Sequence, residues 1–112
     1  MSKRIFDLAN IDDNTPRIAW SPETTELHMN VVHLRAHEVI PTHTNTSLDV
    51  IVTCLRGTGL ANIDGEETPM QPGTITLIPK GSEREITAGN EGVVYTTVHA
   101  RRGGLMPQSR IL

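Results

Sequence analysis

Apolar residues in this chain come in short runs, and no window of helical length keeps an i, i+3, i+4 apolar stripe clear of Gly and Pro. Runs rich in Val, Ile, Leu and Thr recur at 27–35, 39–43, 49–55, 59–63, 67–70, 74–78, 83–87 and 93–100, each bounded by turn-forming residues. The pattern predicts a nearly all-β chain. Asp64-Gly65, between Ala61-Asn62-Ile63 and Glu66-Glu67-Thr68, is a hairpin signal because both residues tolerate the positive φ of a tight primed turn. Gly57-Thr58-Gly59 predicts a bend or bulge, while Pro72-Gly73 and Pro79-Lys80-Gly81 read as loop corners. Seven or eight short antiparallel strands at this spacing imply a sandwich, jelly roll or small barrel.

The ends look different. Residues 1–26 carry scattered acids and prolines and read as an irregular arm, with a short strand at 5–8 and Trp20 as its anchor. Residues 27–100 form the barrel, and residues 101–112 form a tail. One domain is the count that 112 residues without a dividing linker support. With three aromatics, the interior must be filled by aliphatic side chains, which suits packed sheets.

Charge narrows the partners. A net charge of −3 makes neither nucleic acid nor an anionic membrane an expected partner, and Arg101, Arg102 and Arg110 read as a solvated or inter-subunit tail. No apolar run reaches membrane-spanning length and the start lacks a signal-peptide core, so the expected location is cytoplasmic. Cys54, the single cysteine, sits in the apolar run 50–55 and reads as inert packing.

Between residues 27 and 100 the chain resembles the cupin superfamily. The first cupin motif is a glycine, five residues, H-x-H, three or four residues, Glu, six residues and a glycine. Here His37 takes the opening glycine place, His43-Thr44-Asn45 the H-x-H, Val50 the Glu and Gly57 the closing glycine. In the second motif Gly73 and Pro79-Lys80-Gly81 match in spacing, and Arg84 stands where a third His belongs. The segments "DVIVTCLRGTG", "IPKGSE" and "VVYTTVHARRGGLMP" look like those of small single-domain bacterial cupins with no assigned reaction. The resemblance implies an all-β, double-stranded β-helix (jelly-roll) barrel and a homodimer, paired through an exposed sheet edge and the terminal arms.

Three of the four ligand positions that the resemblance implies are altered. Residues 43, 45 and 50 face the interior of such a barrel, because strand residues alternate faces. A catalytic transition metal needs about three protein ligands, and this register supplies His43 and the weak donor Asn45. Arg84 opposes a cation: at ~4 Å and an effective dielectric of ~20, a divalent ion beside it meets repulsion of about 8 kcal/mol. No cofactor is therefore expected. A divalent metal stays open as an alternative if a bulge at 46–48 turns Asp49 inward beside His43 and Asn45.

Without a metal, His43, Asn45 and Arg84 at the mouth of a barrel lined by Val50 and Val52 read as a pocket for a small anionic or carbonyl-bearing molecule. Tyr95 and His99 share strand parity and are further candidates. His28, His33 and His37 read instead as surface or groove residues. Were a reaction catalysed, His43 is the candidate general base and Arg84 its electrophilic partner, an isomerase-like pairing. A metal-dependent isomerase or dioxygenase using His43 with Asn45 and Asp49, and a dimeric interaction module without a ligand, are the alternatives.

Overall fold

In the computed structural model, residues 4–101 are described; the tail expected at 101–112 lies outside them except for Arg101. The elements are a 3-10 turn Leu8–Asn10 and seven strands: β1 Ile18–Trp20, β2 Leu27–Leu34, β3 Val39–Thr44, β4 Val50–Ile63, β5 Glu66–Met70, β6 Ile75–Ile78 and β7 Glu83–Ala100. All pairings are antiparallel, in the order β1-β2-β7-β4-β5, with β3 added on β7 and β6 on β4.

Two long strands build the barrel. The first part of β7 pairs with β3 and with the end of β4, and its second part pairs with β2 and with the start of β4. Each long strand thus belongs to both walls. The runs 49–55 and 59–63 are one strand, and so are 83–87 and 93–100, because glycines carry the backbone round the bends where a helix or loop would otherwise be needed. Register shifts fall between Cys54 and Arg56 and between Gly57 and Gly59. Gly57 has φ +77°, and a Cβ there would overlap the Gly92 carbonyl oxygen. Only glycine fits so close a backbone crossing.

The hairpin signal is borne out: Ile63 pairs with Glu66 across Asp64 and Gly65, whose φ values are +51° and +87°. The arm differs from expectation. No strand forms at residues 5–8; Asp7 instead caps the 3-10 turn through Ala9 N–H, and the arm's strand lies at Ile18–Trp20, where it pairs with β2. Trp20 does anchor the arm, stacking on Phe6 with ring centroids 5.9 Å apart. His33 is buried rather than on an outer surface, its Nδ1 at 3.0 Å from the Thr15 carbonyl, because the arm folds over β2.

Alternation along the strands makes the core. Val50, Val52 and Cys54 of β4 point inward to meet Val32, Leu34, Met70, Ile78, Ile86, Val93 and Tyr95, whereas Ile51 between them is exposed. Each such aliphatic side chain contributes on the order of 1.5–3 kcal/mol by leaving water. Cys54 is buried and its thiol pKa is raised by desolvation, as inert packing requires. No helix among the described residues is long and apolar enough to cross a membrane.

Candidate functional site

The core does not fill the barrel to its mouth. A cavity of about 220 Å³ opens between the walls, far above the ~15 Å³ that one water requires. Val32, Val50, Val52, Ile78 and Ile86 make its floor, and its polar lining is Arg17, Asn30, His43, Arg84, Tyr95, Thr97 and His99. Among the described residues no Asp or Glu lines it.

Strand register assembles this set. His43 on β3 lies opposite Arg84 on β7, and Arg84 Nε donates to His43 Nε2 at 2.9 Å. His43 Nδ1 stands 3.0 Å from the Pro41 carbonyl oxygen, so the ring is neutral with its proton on Nδ1, donated to that carbonyl. Arg84 is half-buried, and burial lowers its pKa while the Tyr95 hydroxyl acts in the opposite sense. Among the described residues Arg84 makes no ion pair. On the far half of β7, Tyr95, Thr97 and His99 face the cavity in alternation, with Thr97 beside Asn30 of β2.

Tyr95 forms the back wall. Desolvation pushes its phenol up to about 12, while Arg17 and Arg84 both pull it down. Both guanidinium groups therefore act on one hydroxyl. The phenol is neutral at ordinary pH, a donor and acceptor held at the edge of the apolar floor. His99 Nδ1 is 2.7 Å from the Ala100 carbonyl, and its ring lies 4.9 Å from that of His28.

Two predicted site residues stand elsewhere. Asn45 is not in the cavity lining, since β3 ends at Thr44 and the Asn45 side-chain oxygen accepts the backbone N–H groups of Ser47 and Leu48. The segment 45–48 is thus a turn built on this amide. Asp49 does not turn inward either; it accepts from Lys80 N–H at 2.9 Å, tying the start of β4 to the corner before β7. His43 is therefore the one member of the proposed metal set in the cavity, and the lone pair it would offer is held by a cationic donor. This donor set does not fit a divalent ion, and no three His, Cys, Asp or Glu side chains converge on a metal position among the described residues. The same lone pair would have to leave Arg84 before His43 could accept a proton from a substrate.

Arg17, Asn30 and Thr97 are additions to the sequence-derived set. Asn30 and Thr97 share strand parity with Val32 and Tyr95, which was a usable signal. Arg17 had none, because its place depends on where the arm lands. His37, at the glycine place of the first motif, keeps glycine-like geometry with φ +65°.

A bent antiparallel barrel with a polar-mouthed cavity between its walls is the double-stranded β-helix of the cupin superfamily, and this is a small cupin protein. The chain belongs to the family of AraC-like ligand binding domains, whose profile matches residues 31–106. No curated protein matches it significantly. Among solved structures it is similar to a cupin protein from Bacteroides fragilis, at 26% identity and TM-score 0.65, covering 75% of this chain and 73% of that one. It is also similar to KdgF from Halomonas sp., at 20% identity and TM-score 0.71 over 90% and 96% of the two chains. An uncharacterized conserved protein with a double-stranded β-helix domain from Klebsiella pneumoniae has 19% identity and TM-score 0.74, over 91% and 93%. Both of the latter show the fold alone.

Proposed function

We propose that the protein binds a small anionic or carbonyl-bearing molecule in the barrel cavity, without a metal, and that Arg84 is its principal anchor. The observation that carries this reading is a half-buried guanidinium, free of any carboxylate partner among the described residues, at the rim of an apolar floor. Arg84 spends its Nε proton on His43, which fixes the plane of the guanidinium and leaves its two NH2 groups for a carboxylate or carbonyl oxygen. A family of ligand binding domains is the setting in which such a pocket belongs. Asn30, Tyr95 and Thr97 supply neutral hydrogen-bonding groups for the rest of the molecule.

Calorimetric titration of wild type and Arg84→Ala with a panel of organic acids tests the reading. Binding by wild type that weakens at least tenfold in the variant supports it; equal affinities for the two proteins refute it.

A second reading is favoured by one observation, the outer face of the barrel wall, where Ile51, Ile75 and Leu77 are exposed and Ile51 pairs directly with Leu77. A second copy of the chain covering this face would make a homodimer. Light scattering is expected to give twice the chain mass for wild type and the single mass for Leu77→Glu.

A further inference from the structure

We infer that the ligand carries two acidic groups, one held by Arg84 and the other by Arg17, so that the cavity is selective for a short dicarboxylate over the matching monoacid. This rests on the anion-pocket reading above and adds the class of ligand.

Two fixed cations line one cavity, among the described residues no carboxylate does, and the positive potential so concentrated at its mouth favours an anion as the occupant. They come from different elements: Arg84 from the first half of β7, and Arg17 from the arm just before β1. Both line the cavity together with Tyr95.

Arg17 is positioned but weakly engaged. Its carbonyl accepts from His33 N–H at 2.7 Å, fixing the backbone beside β2. Among the described residues its side chain has one ionic neighbour, Glu38 Oε2 at 4.0 Å, beyond hydrogen-bond distance. Glu38 is already committed, with Oε1 accepting from Arg35 N–H at 2.7 Å. So loose and half-exposed a pair contributes little, and a carboxylate that accepts two guanidinium protons in the cavity replaces it readily. Between the two arginines the neutral groups of Asn30, Tyr95 and Thr97 can satisfy a hydroxyl or carbonyl on the linking carbon chain.

A compact dianion such as phosphate is the rival occupant that the test distinguishes. Arg17, just before β1, and Arg84, on β7, come from separate segments and line the same cavity, so each can meet one end of a molecule that carries an anion at both ends. The test is calorimetry with succinate, glutarate and adipate, with butyrate as the monoacid and with inorganic phosphate, on wild type, Arg17→Gln and Arg84→Gln. Wild type is expected to bind at least one diacid tenfold or more tighter than butyrate. Arg17→Gln is expected to lower diacid affinity to the butyrate level while leaving butyrate within twofold of wild type. Arg84→Gln is expected to lose both.

Three results would overturn the inference: no diacid preference in wild type, equal weakening of diacid and butyrate by Arg17→Gln, or phosphate binding as tightly as the best diacid. The first two leave the Arg84 reading standing if Arg84→Gln still abolishes butyrate binding. Arg84→Gln with unchanged affinity for every acid would instead remove the underlying reading, and the inference with it.

Discussion

Arg84 donates its Nε proton to His43 Nε2 across 2.9 Å, from a strand position directly opposite the histidine. Since a guanidinium has only donors, the imidazole must be the acceptor, and its own proton sits on Nδ1 toward Pro41. A long-range proton–nitrogen NMR spectrum at about pH 8, where an ordinary imidazole is neutral, should show the Nδ1–H tautomer for His43. In Arg84→Ala the Nε2–H form should gain population. A wild-type ring carrying its proton on Nε2 would contradict the assigned contact.

Tyr95 is the chain's one tyrosine, so its ionisation can be followed by ultraviolet absorbance without ambiguity. The midpoint is expected at about 12 rather than 10. Because the folded state holds the phenol proton more tightly than the unfolded state, the associated stability is fully present below pH 10. It is lost as the pH rises from 10 through about 12. Two pH units correspond to roughly 2–3 kcal/mol for so buried a group. Denaturant titrations of Tyr95→Phe should show a correspondingly flatter stability profile over that window.

Gly57→Ala should destabilise the barrel by roughly 2–4 kcal/mol in urea, combining left-handed backbone strain with overlap of the Gly92 carbonyl. Gly73→Ala is the control. It shares a positive φ, +94°, but its added Cβ meets nothing within 4 Å, so about 1 kcal/mol is expected. Equal losses at the two sites would show that the crossing of β4 and β7 is slack.

Phe6→Ala should cost about 0.5–1.5 kcal/mol, the usual worth of a stacked aromatic pair beyond its buried area. The chain's single Trp reports directly on this contact. Its emission should move to the red as Trp20 loses the Phe6 ring. Unchanged emission would mean that the arm is held by β1 pairing alone.

The parts legible in the sequence are those set by local rules. Asp64-Gly65 specified its hairpin, Gly57 its bulge, and the alternation of Val50, Ile51 and Val52 its inward and outward faces. Motif spacing grouped His43 and Arg84 as pocket residues, but their direct contact follows from the β3–β7 register, which the motif does not state. Asn45 followed the same parity rule, yet β3 stops at Thr44, and beyond a strand end parity has no meaning. The amide found a nearer use in its own turn. Arg17 was out of reach for another reason: β1 lies on β2 through long-range packing around Trp20 and His33, and no spacing within residues 1–26 encodes that landing.

One ribbon, β7, carries Arg84 in its first part and Tyr95, Thr97 and His99 in its second, with Gly89 and Gly92 between them. At Gly92 an added methyl would meet the Leu34 carbonyl, and at Gly89 the Thr58 hydroxyl. The spacing of the two halves of this strand is thereby set at a crook that lies outside the cavity lining. The width of the cavity and the charge of its lining are thus set at separate addresses, and mutation can alter either while the other is kept.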